Sequence, residues 1–117
     1  MLSWKIIDRL EQLNEISQIS HEYPCLIFKH STRCSISSIA KMRLESDWDE
    51  KLNHLQVYYL DLISYRDISQ QIANQFSVHH ESPQVLLIQN GECTYDASHL
   101  DITVNELLEV LEVSVNK

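Results

Sequence analysis

The chain of 117 residues contains one glycine and two prolines, so its composition leaves no room for flexible linkers or low-complexity tracts. It holds three cysteines at unrelated spacings, which excludes a disulfide framework. Its apolar runs, such as residues 25–28 and 85–88, are far too short to span a bilayer. Basic residues are also scarce, since nine Lys and Arg against seventeen Asp and Glu give a net charge of −8. A surface of that sign repels nucleic acid and anionic lipid, so neither nucleic acid nor a membrane is an expected partner.

Length and composition fit a single domain that covers residues 1–117. Apolar residues make up 44% of the chain and charged residues 22%, an ordinary balance for a globular protein. A chain of this length is long enough for one hydrophobic core and too short for two. The segment 1–5 lacks the pattern of a secretory signal peptide. The expected location is therefore the cytoplasm, where free thiols persist.

Hydrophobic patterning predicts strands that alternate with helices. Four segments are typical of strands because they are apolar or aromatic and end at turn residues: 25–30, 55–62, 85–89 and 92–96. Residues 4–6 are predicted as a short extended segment outside this set. The last two strands form a hairpin, because Asn90 and Gly91 suit a type I′ turn that needs a positive φ at both positions.

Four helices are predicted from apolar residues that recur every three or four positions. Their expected N-caps or first residues, in chain order, are Asp8, Ser35, Ser64 and Thr103. Glu11 and Glu106 complete capping boxes with the first and the last of these. The apolar face of the first helix is expected to comprise Leu10, Leu13, Ile16 and Ile19.

The order of these elements predicts a thioredoxin-like α/β fold. A β-α-β unit followed by a helix, a strand hairpin and a last helix gives a mixed four-stranded sheet flanked by helices. Cys34 begins the helix after the first strand, which is where the thioredoxin fold places its nucleophile. Pro83 opens the third strand, which is where that fold places a cis-proline beside the thiol. Both landmarks predict the same fold.

Cys34 is the candidate nucleophile, because unpaired N–H groups and the helix dipole at a helix N-terminus favour a thiolate. The N–H of Ser35, the cation of Arg33 and the hydroxyl of Ser37 are candidate thiolate-stabilising groups, with His30 as a further one. Arg33 and His30 could instead be solvated loop residues, and the Ser37 hydroxyl could instead bond the backbone. Ser37 occupies the place of a second cysteine, so the Cys-x-x-Ser motif predicts single-thiol chemistry.

Four blocks of sequence resemble the YtxJ family of monothiol bacilliredoxins, in the same chain order: residues 29–37, 66–69, 80–84 and 97–103. The resemblance implies a bacterial thioredoxin-like oxidoreductase that removes bacillithiol from S-bacillithiolated protein cysteines. Bacillithiol would then be a co-substrate, S-thiolated proteins would be the partners, and no cofactor would be bound. One departure is visible, since Ser35 stands where the family usually carries proline. Proline suits the first helical position but is not required there.

The expected mechanism has two exchange steps. Cys34 takes the low-molecular-weight thiol from the mixed disulfide, and a second external thiol then frees Cys34. Candidate substrate-binding residues lie at the end of the first strand, in the loop before Cys34 and in the loop before the third strand: His30, Thr32, His80, Ser82 and Pro83. The backbone beside Pro83 is expected to pair with the substrate as a short strand. A trans-proline loop, with His80 as an ordinary loop residue, is the structural alternative.

Cys25 and Cys93 are predicted to lie too far from Cys34 to resolve its disulfide. Cys25 begins its strand, and Cys93 follows the hairpin turn at the opposite end from Pro83. A metal site is not expected either, because the histidines lack the paired short spacing of structural zinc ligands. His79 and His80 are adjacent, and the others are scattered.

Three other functions compete with a bacilliredoxin-like activity. An arsenate-reductase type of Cys-x-x-Ser reductase uses a similar motif. An iron–sulfur monothiol glutaredoxin usually has Cys-Gly-Phe-Ser, and Ser35-Ile36 replaces the Gly-Phe pair here. A non-catalytic thioredoxin-fold adaptor would bind a partner without chemistry, and its Cys34 would then react with iodoacetamide no faster than Cys93.

Overall fold

A computed structural model describes residues 2–115, with side chains described as far as Leu111. The chain folds into nine regular elements, five strands and four α-helices, within that part. The strands are β1 (Lys5–Ile6), β2 (Cys25–His30), β3 (Gln56–Asp61), β4 (Gln84–Gln89) and β5 (Glu92–Ser98). The helices are α1 (Glu11–Ile19), α2 (Ser35–Asp47), α3 (Arg66–Phe76) and α4 (Val104–Val115). Two short 3₁₀ turns, Glu50–Leu52 and His99–Asp101, precede β3 and α4.

The sheet has five strands in the order β1-β3-β2-β4-β5, so the predicted count of four was wrong by one edge strand. β1 pairs in parallel with β3, and the N–H of Ile7 donates to the carbonyl of Tyr59 at 2.9 Å. Ile7 is fully buried. A strand of two residues is too short to produce an alternating pattern, which is why the sequence predicted only an extended segment there. The predicted α/β thioredoxin-like class is confirmed.

Each face of the sheet carries its own hydrophobic core. Leu26 and Phe28 of β2 point to one face, where α2 and α4 pack through Leu44 and Leu107. Ile27 points to the other face, together with the buried residues of α1 and α3. All six residues of β2 are buried, as expected for a central strand that has helices on both sides. The end of β2 is therefore a rigid base for the loop that follows it.

The start of α1 differs from its prediction. The N-cap is Leu10 rather than Asp8, and Leu10 is largely exposed instead of lying on the buried face. The side chain of Gln12 folds back and accepts hydrogen bonds from the N–H groups of Asp8 and Arg9, at 2.7 and 2.8 Å. Gln12 therefore accepts from the N–H of Asp8, the donor that the predicted box assigned to the side chain of Glu11, and from the N–H of Arg9 as well.

The other predicted caps are confirmed only in part. The N-cap of α3 is Tyr65, and the hydroxyl of Ser64 instead donates to the carboxylate of Asp61 at 2.9 Å. At the start of α4, the N–H of Glu106 donates to Thr103 Oγ1 at 3.1 Å, as the capping box predicts. The carboxylate of Glu106 accepts from the Tyr95 hydroxyl at 3.2 Å. This helix is thereby tied to β5.

The hairpin between β4 and β5 turns at Asn90 and Gly91, as predicted, with φ of 54° and 78°. The turn is attached to the end of α1, because its two N–H groups donate to the carbonyl and the hydroxyl of Ser20 at 2.9 and 2.8 Å. This contact fixes the hairpin at the end of the sheet opposite to the β2–α2 loop.

Replacing Gly91 with alanine is expected to lower the free energy of unfolding by about 1 kcal/mol, because a side chain disfavours a positive φ. The added Cβ would be 3.4 Å from Ser17 Oγ, an ordinary contact, so strain in the backbone is the main cost. Urea denaturation would measure the loss as a lower midpoint with an unchanged slope. An unchanged midpoint would contradict the role assigned to this glycine.

Candidate functional site

Cys34 occupies the N-cap position of α2, at the end of the sheet where β2 finishes. Its N–H donates to the carbonyl of Ser31 at 3.2 Å, and its carbonyl accepts from the N–H of Ser38 at 3.1 Å. The residue is partly exposed and its thiol is free. The first helical residue is Ser35, as predicted, and its N–H is one of the first-turn donors that lack an intrahelical partner. The Cys34 side chain makes no capping hydrogen bond with that turn.

The hydroxyl of Ser37 bonds to groups other than the Cys34 thiol. Its side chain is fully buried, and its hydroxyl accepts from the N–H of Ser31 at 3.0 Å. The same oxygen lies 2.6 Å from Nδ1 of His30. These partners fit the backbone-bonding alternative rather than a hydrogen bond to the thiolate. Ser37 thus fastens the loop before Cys34 to the first turn of α2.

His30 is buried, which excludes the alternative of a solvated loop residue, while its contact with the substrate stays a prediction. It is the last residue of β2, with 5% of its surface exposed, and its ring packs against Phe28 and Tyr59 at centroid distances of 5.6 and 5.5 Å. Burial lowers the pKa of His30, and the nearby cation of Lys41 lowers it further. A neutral His30 therefore holds Ser37, and through it the loop before Cys34, from the buried side of that loop.

Pro83 lies at the same end of the sheet as Cys34. β2 and β4 are antiparallel neighbours, with Lys29 opposite Gln84, so the start of β4 meets the end of β2. The peptide bond between Ser82 and Pro83 is cis, as the fold predicted. Ser82 is partly exposed, whereas Pro83 is buried and its carbonyl accepts from the N–H of His99 at 3.1 Å.

Lys29 is a buried cation that the sequence-based search for site residues missed. It is fully buried in β2, and its Nζ donates to the carbonyl of Ser69 at 3.2 Å. Nδ1 of His80 lies 3.3 Å from the same nitrogen. Burial lowers the pKa of Lys29 from 10.5 to about 8. A lysine inside an otherwise apolar strand was the signal that could have identified it.

His80 joins β2 and α3 beside the candidate site. Its Nδ1 lies 3.4 Å from the Ser69 hydroxyl as well as near Lys29, although the residue as a whole is exposed. Burial of the inner part of the ring lowers its pKa, and the cation of Lys29 lowers it further. The structure thus places His80 close to the loop that leads to Pro83, which is consistent with its predicted position.

An open cleft of about 380 Å³ adjoins Cys34 on the α3 side. Its polar wall is formed by Ser31, Arg33, Arg66, Ser69, Gln70 and His80. Leu62 and Ile63 form an apolar wall. Arg33, the residue before Cys34, thus lines the cleft, whereas Cys34 itself is not among the lining residues. Thr32 is exposed and does not line the cleft.

The other two cysteines lie at the opposite end of the sheet, as predicted. Cys25 pairs with Ile88, and Ile88 pairs in turn with Cys93 next to the hairpin. Cys25 is buried, and its thiol donates to the carbonyl of Tyr23 at 3.4 Å. Burial raises the pKa of both Cys25 and Cys93 to about 11. Neither thiol is placed to resolve a disulfide on Cys34.

Among the side chains of residues 2–111, no three of His, Cys, Asp or Glu gather where they could hold a metal ion. No helix within residues 2–115 has the length and apolar character needed to cross a bilayer.

A family comparison agrees with the geometry of the thiol, the helix and the cis-proline. The model of the family described as monothiol bacilliredoxin BrxC matches residues 5–107. The chain belongs to that family. The matched range includes Lys29, Cys34, Ser37 and Pro83, and it ends within α4. A thiol-disulfide oxidoreductase type of activity follows for this bacilliredoxin from family and fold together.

Solved structures support the same fold. A putative oxidoreductase with a thioredoxin fold is 31% identical, with a TM-score of 0.75 and coverage of 89% of each chain. Thioredoxin from Trypanosoma brucei brucei is 13% identical, with a TM-score of 0.73 and coverage of 98% of this chain and 93% of that one. Thioredoxin f2 from Chlamydomonas reinhardtii is 11% identical, with a TM-score of 0.71 and coverage of 96% of each. The last two show likeness of fold alone.

Proposed function

We propose that this bacilliredoxin removes bacillithiol from mixed disulfides on protein cysteines, through Cys34 as a single thiol. The observation that carries the proposal is a partly exposed free thiol at the N-cap of α2, beside cis-Pro83. Ser37, three residues later, is buried and bonded to His30 and Ser31. A resolving thiol therefore has to come from outside the chain.

The catalytic cycle has two exchange steps and ends with Cys34 as a free thiolate. The Cys34 thiolate attacks the bacillithiol sulfur, the original disulfide breaks, and the protein cysteine leaves as a thiolate that takes a proton from water. The thiolate of a second bacillithiol molecule then attacks the disulfide on Cys34. This step forms bacillithiol disulfide and releases the Cys34 thiolate. In the net reaction one mixed disulfide and one free bacillithiol give one protein thiol and one bacillithiol disulfide, so one disulfide bond is lost and one is formed.

The groove beside Pro83 is the proposed site for the protein part of the substrate. Ser82 and Pro83 are adjacent to the edge where β2 ends, and the exposed Thr32 lies in the facing loop. An extended segment around the modified cysteine can pair with the backbone of Ser82 as a short strand. Substrate proteins would then be recognised mainly through main-chain hydrogen bonds, with little dependence on their sequence.

An intact-mass experiment tests the activity. The purified protein is offered a bacillithiol mixed disulfide of a cysteine peptide, with the glutathione and coenzyme A disulfides as comparisons. We expect a mass increase of one bacillithiol on Cys34, located by peptide mapping, and its removal when free bacillithiol is added. If no adduct forms with any of the three disulfides, the adaptor function replaces this proposal. If another thiol reacts best, the chemistry stands with a different co-substrate.

Alkylation distinguishes an activated thiol from an adaptor's ordinary one. At pH 7.5 we expect iodoacetamide to modify Cys34 severalfold faster than the cysteine of an unstructured reference peptide, which has an ordinary thiol pKa. Cys93 should react far more slowly than either, because a thiol with a pKa of about 11 is almost entirely protonated. The rates are measured by peptide mass spectrometry over time. Equal rates for Cys34 and the reference peptide would contradict the proposed reactivity of Cys34.

A further inference from the structure

The cleft near Cys34 is lined by basic residues and no acidic ones, although the protein as a whole is acidic. The chain carries a net charge of −8, yet two of its four arginines, Arg33 and Arg66, line this one cleft. None of its lining residues is an Asp or Glu. Within the described part of the chain, neither arginine forms an ion pair. Both guanidinium groups are therefore available to a ligand.

A third cation lies directly behind the cleft. Lys29 is fully buried, and its Nζ contacts Ser69 and His80, both of which line the cleft wall. No carboxylate is found with it among the ion pairs of the described residues. Basic groups thus lie both on the rim and behind the wall of the cleft, and Asp67 in the first turn of α3 is not among the lining residues. Burial weakens the screening of the Lys29 charge by water.

The first turn of α3 adds to this field. Arg66 is the first residue of this helix of 11 residues, and Ser69 and Gln70 follow on the cleft wall. The positive end of the helix dipole and its unpaired N–H groups therefore lie at the same place as the two arginines. The apolar wall of Leu62 and Ile63 offers a surface for a carbon skeleton.

We propose that this cleft binds the carboxylate groups of the low-molecular-weight thiol that Cys34 exchanges, with Arg66 and Arg33 as the anion-binding residues. The inference rests on the proposed function, and it names the substrate feature that the site selects. A volume of about 380 Å³ suits a small molecule rather than a protein segment. Arg33 lines the cleft and is the residue before Cys34, so the acidic end of a thiol whose sulfur is on Cys34 is assigned to this cleft. The fork of an arginine matches a carboxylate in a bidentate pair.

The test compares two mixed disulfides of the same peptide. One carries bacillithiol, whose malate part has two carboxylates, and the other carries 2-mercaptoethanol, which is neutral. The ratio of the two kcat/KM values is measured for the wild type, for Arg66→Gln and for Arg43→Gln. Arg43 is an exposed arginine of α2 that does not line the cleft, so its variant has the same change in net charge. Arg66→Lys tests whether charge alone suffices.

We expect Arg66→Gln to lower the ratio by roughly tenfold or more, as for the loss of one charge-assisted hydrogen-bonded pair. Arg43→Gln should leave the ratio at the wild-type value, and Arg66→Lys should restore it in part. A ratio unchanged in Arg66→Gln would overturn the carboxylate site while leaving the exchange activity intact. Equal losses in Arg66→Gln and Arg43→Gln would also overturn it, because net charge would then explain both.

The anion site can also be tested without the proposed exchange activity. If the wild type exchanges neither disulfide, the cleft is tested alone by titrating the ¹⁵N-labelled protein with malate. Shifts of the amide signals of Arg66 and Ser69 that Arg66→Gln abolishes would support an anion site without exchange chemistry. If those signals do not move in the wild type, the site is overturned together with the function.

Discussion

A Cys34→Ser variant is expected to lose all exchange activity, because the thiolate is the only group in the mechanism that forms a bond with the substrate. The hydroxyl of serine is not a nucleophile towards disulfides at neutral pH. The measurement is the release of free peptide thiol from the mixed disulfide, followed by mass spectrometry. Residual release above the uncatalysed rate would contradict a mechanism that depends on this sulfur.

Matched controls come from the other two cysteines. Cys93→Ser and Cys25→Ser should keep the wild-type rate, since both residues lie at the hairpin end of the sheet. Serine at position 25 can still donate to the carbonyl of Tyr23 that the thiol now bonds, although the buried site makes some loss of stability expected. The thermal midpoint of each variant is therefore measured with its activity. A folded Cys93→Ser protein without activity would show that a second thiol takes part.

Sequence reasoning correctly placed Cys34 before a helix and a cis-proline at the same end of the sheet, because these landmarks are local. A cysteine before a helix and a proline before a strand are visible in one dimension, and the β-α-β order brings them together. Asn90 and Gly91 were predictable for a similar reason, because few residues accept a positive φ. These features depend on backbone rules that act over a few residues.

The partners of the site were less predictable, because burial depends on the whole fold. His30 follows an apolar run and precedes a polar loop, so a position outside the core was a natural expectation. The helices on both faces of the sheet bury β2 to its last residue instead. From sequence, Ser37 could be assigned to Cys34 or to the backbone, and the contacts of its hydroxyl with the Ser31 N–H and the His30 ring decide between them.

The cationic cleft could not be inferred because its residues come from separate segments. Arg33 and Arg66 are 33 positions apart in sequence, and Lys29 faces inward from a strand whose two faces are both buried. A period of two cannot indicate which side of such a strand a lysine takes. The contact of Lys29 with His80 depends on a loop conformation that no local signal encodes.

Lys29 should reduce the stability of the fold at neutral pH, and replacing it with methionine should increase that stability. The pKa of the buried ammonium falls from 10.5 to about 8, so folding below pH 8 places a charge where burial disfavours it. A change of that size corresponds to about 3 kcal/mol in the free energy of unfolding. Methionine keeps an unbranched stem and removes the charge. The substitution leaves neither hydrogen-bond partner of Lys29 buried and unpaired. The Ser69 carbonyl lies within α3, and His80 is an exposed residue.

The pH dependence separates this effect from better packing. Between pH 8 and 10.5 the unfolded lysine still holds its proton while the native one has lost it, so wild-type stability rises with pH through this window. The gain from Lys29→Met should therefore be largest at or below pH 8 and should shrink towards pH 10.5. The raised pKa values of Cys25 and Tyr58 affect both proteins equally, so the difference between the two unfolding curves isolates Lys29.

Chemical denaturation at pH 7, 8 and 9.5 gives that difference directly. A gain that stays constant with pH would mean that methionine merely packs better than the lysine stem. A loss at pH 7 would mean that the hydrogen bond to Ser69 and the contact with His80 outweigh the burial of the charge. If the variant is more stable but discriminates less between bacillithiol and 2-mercaptoethanol disulfides, the same buried charge that weakens the fold also strengthens the anion site. A cation kept at such a cost to stability is expected where function depends on it.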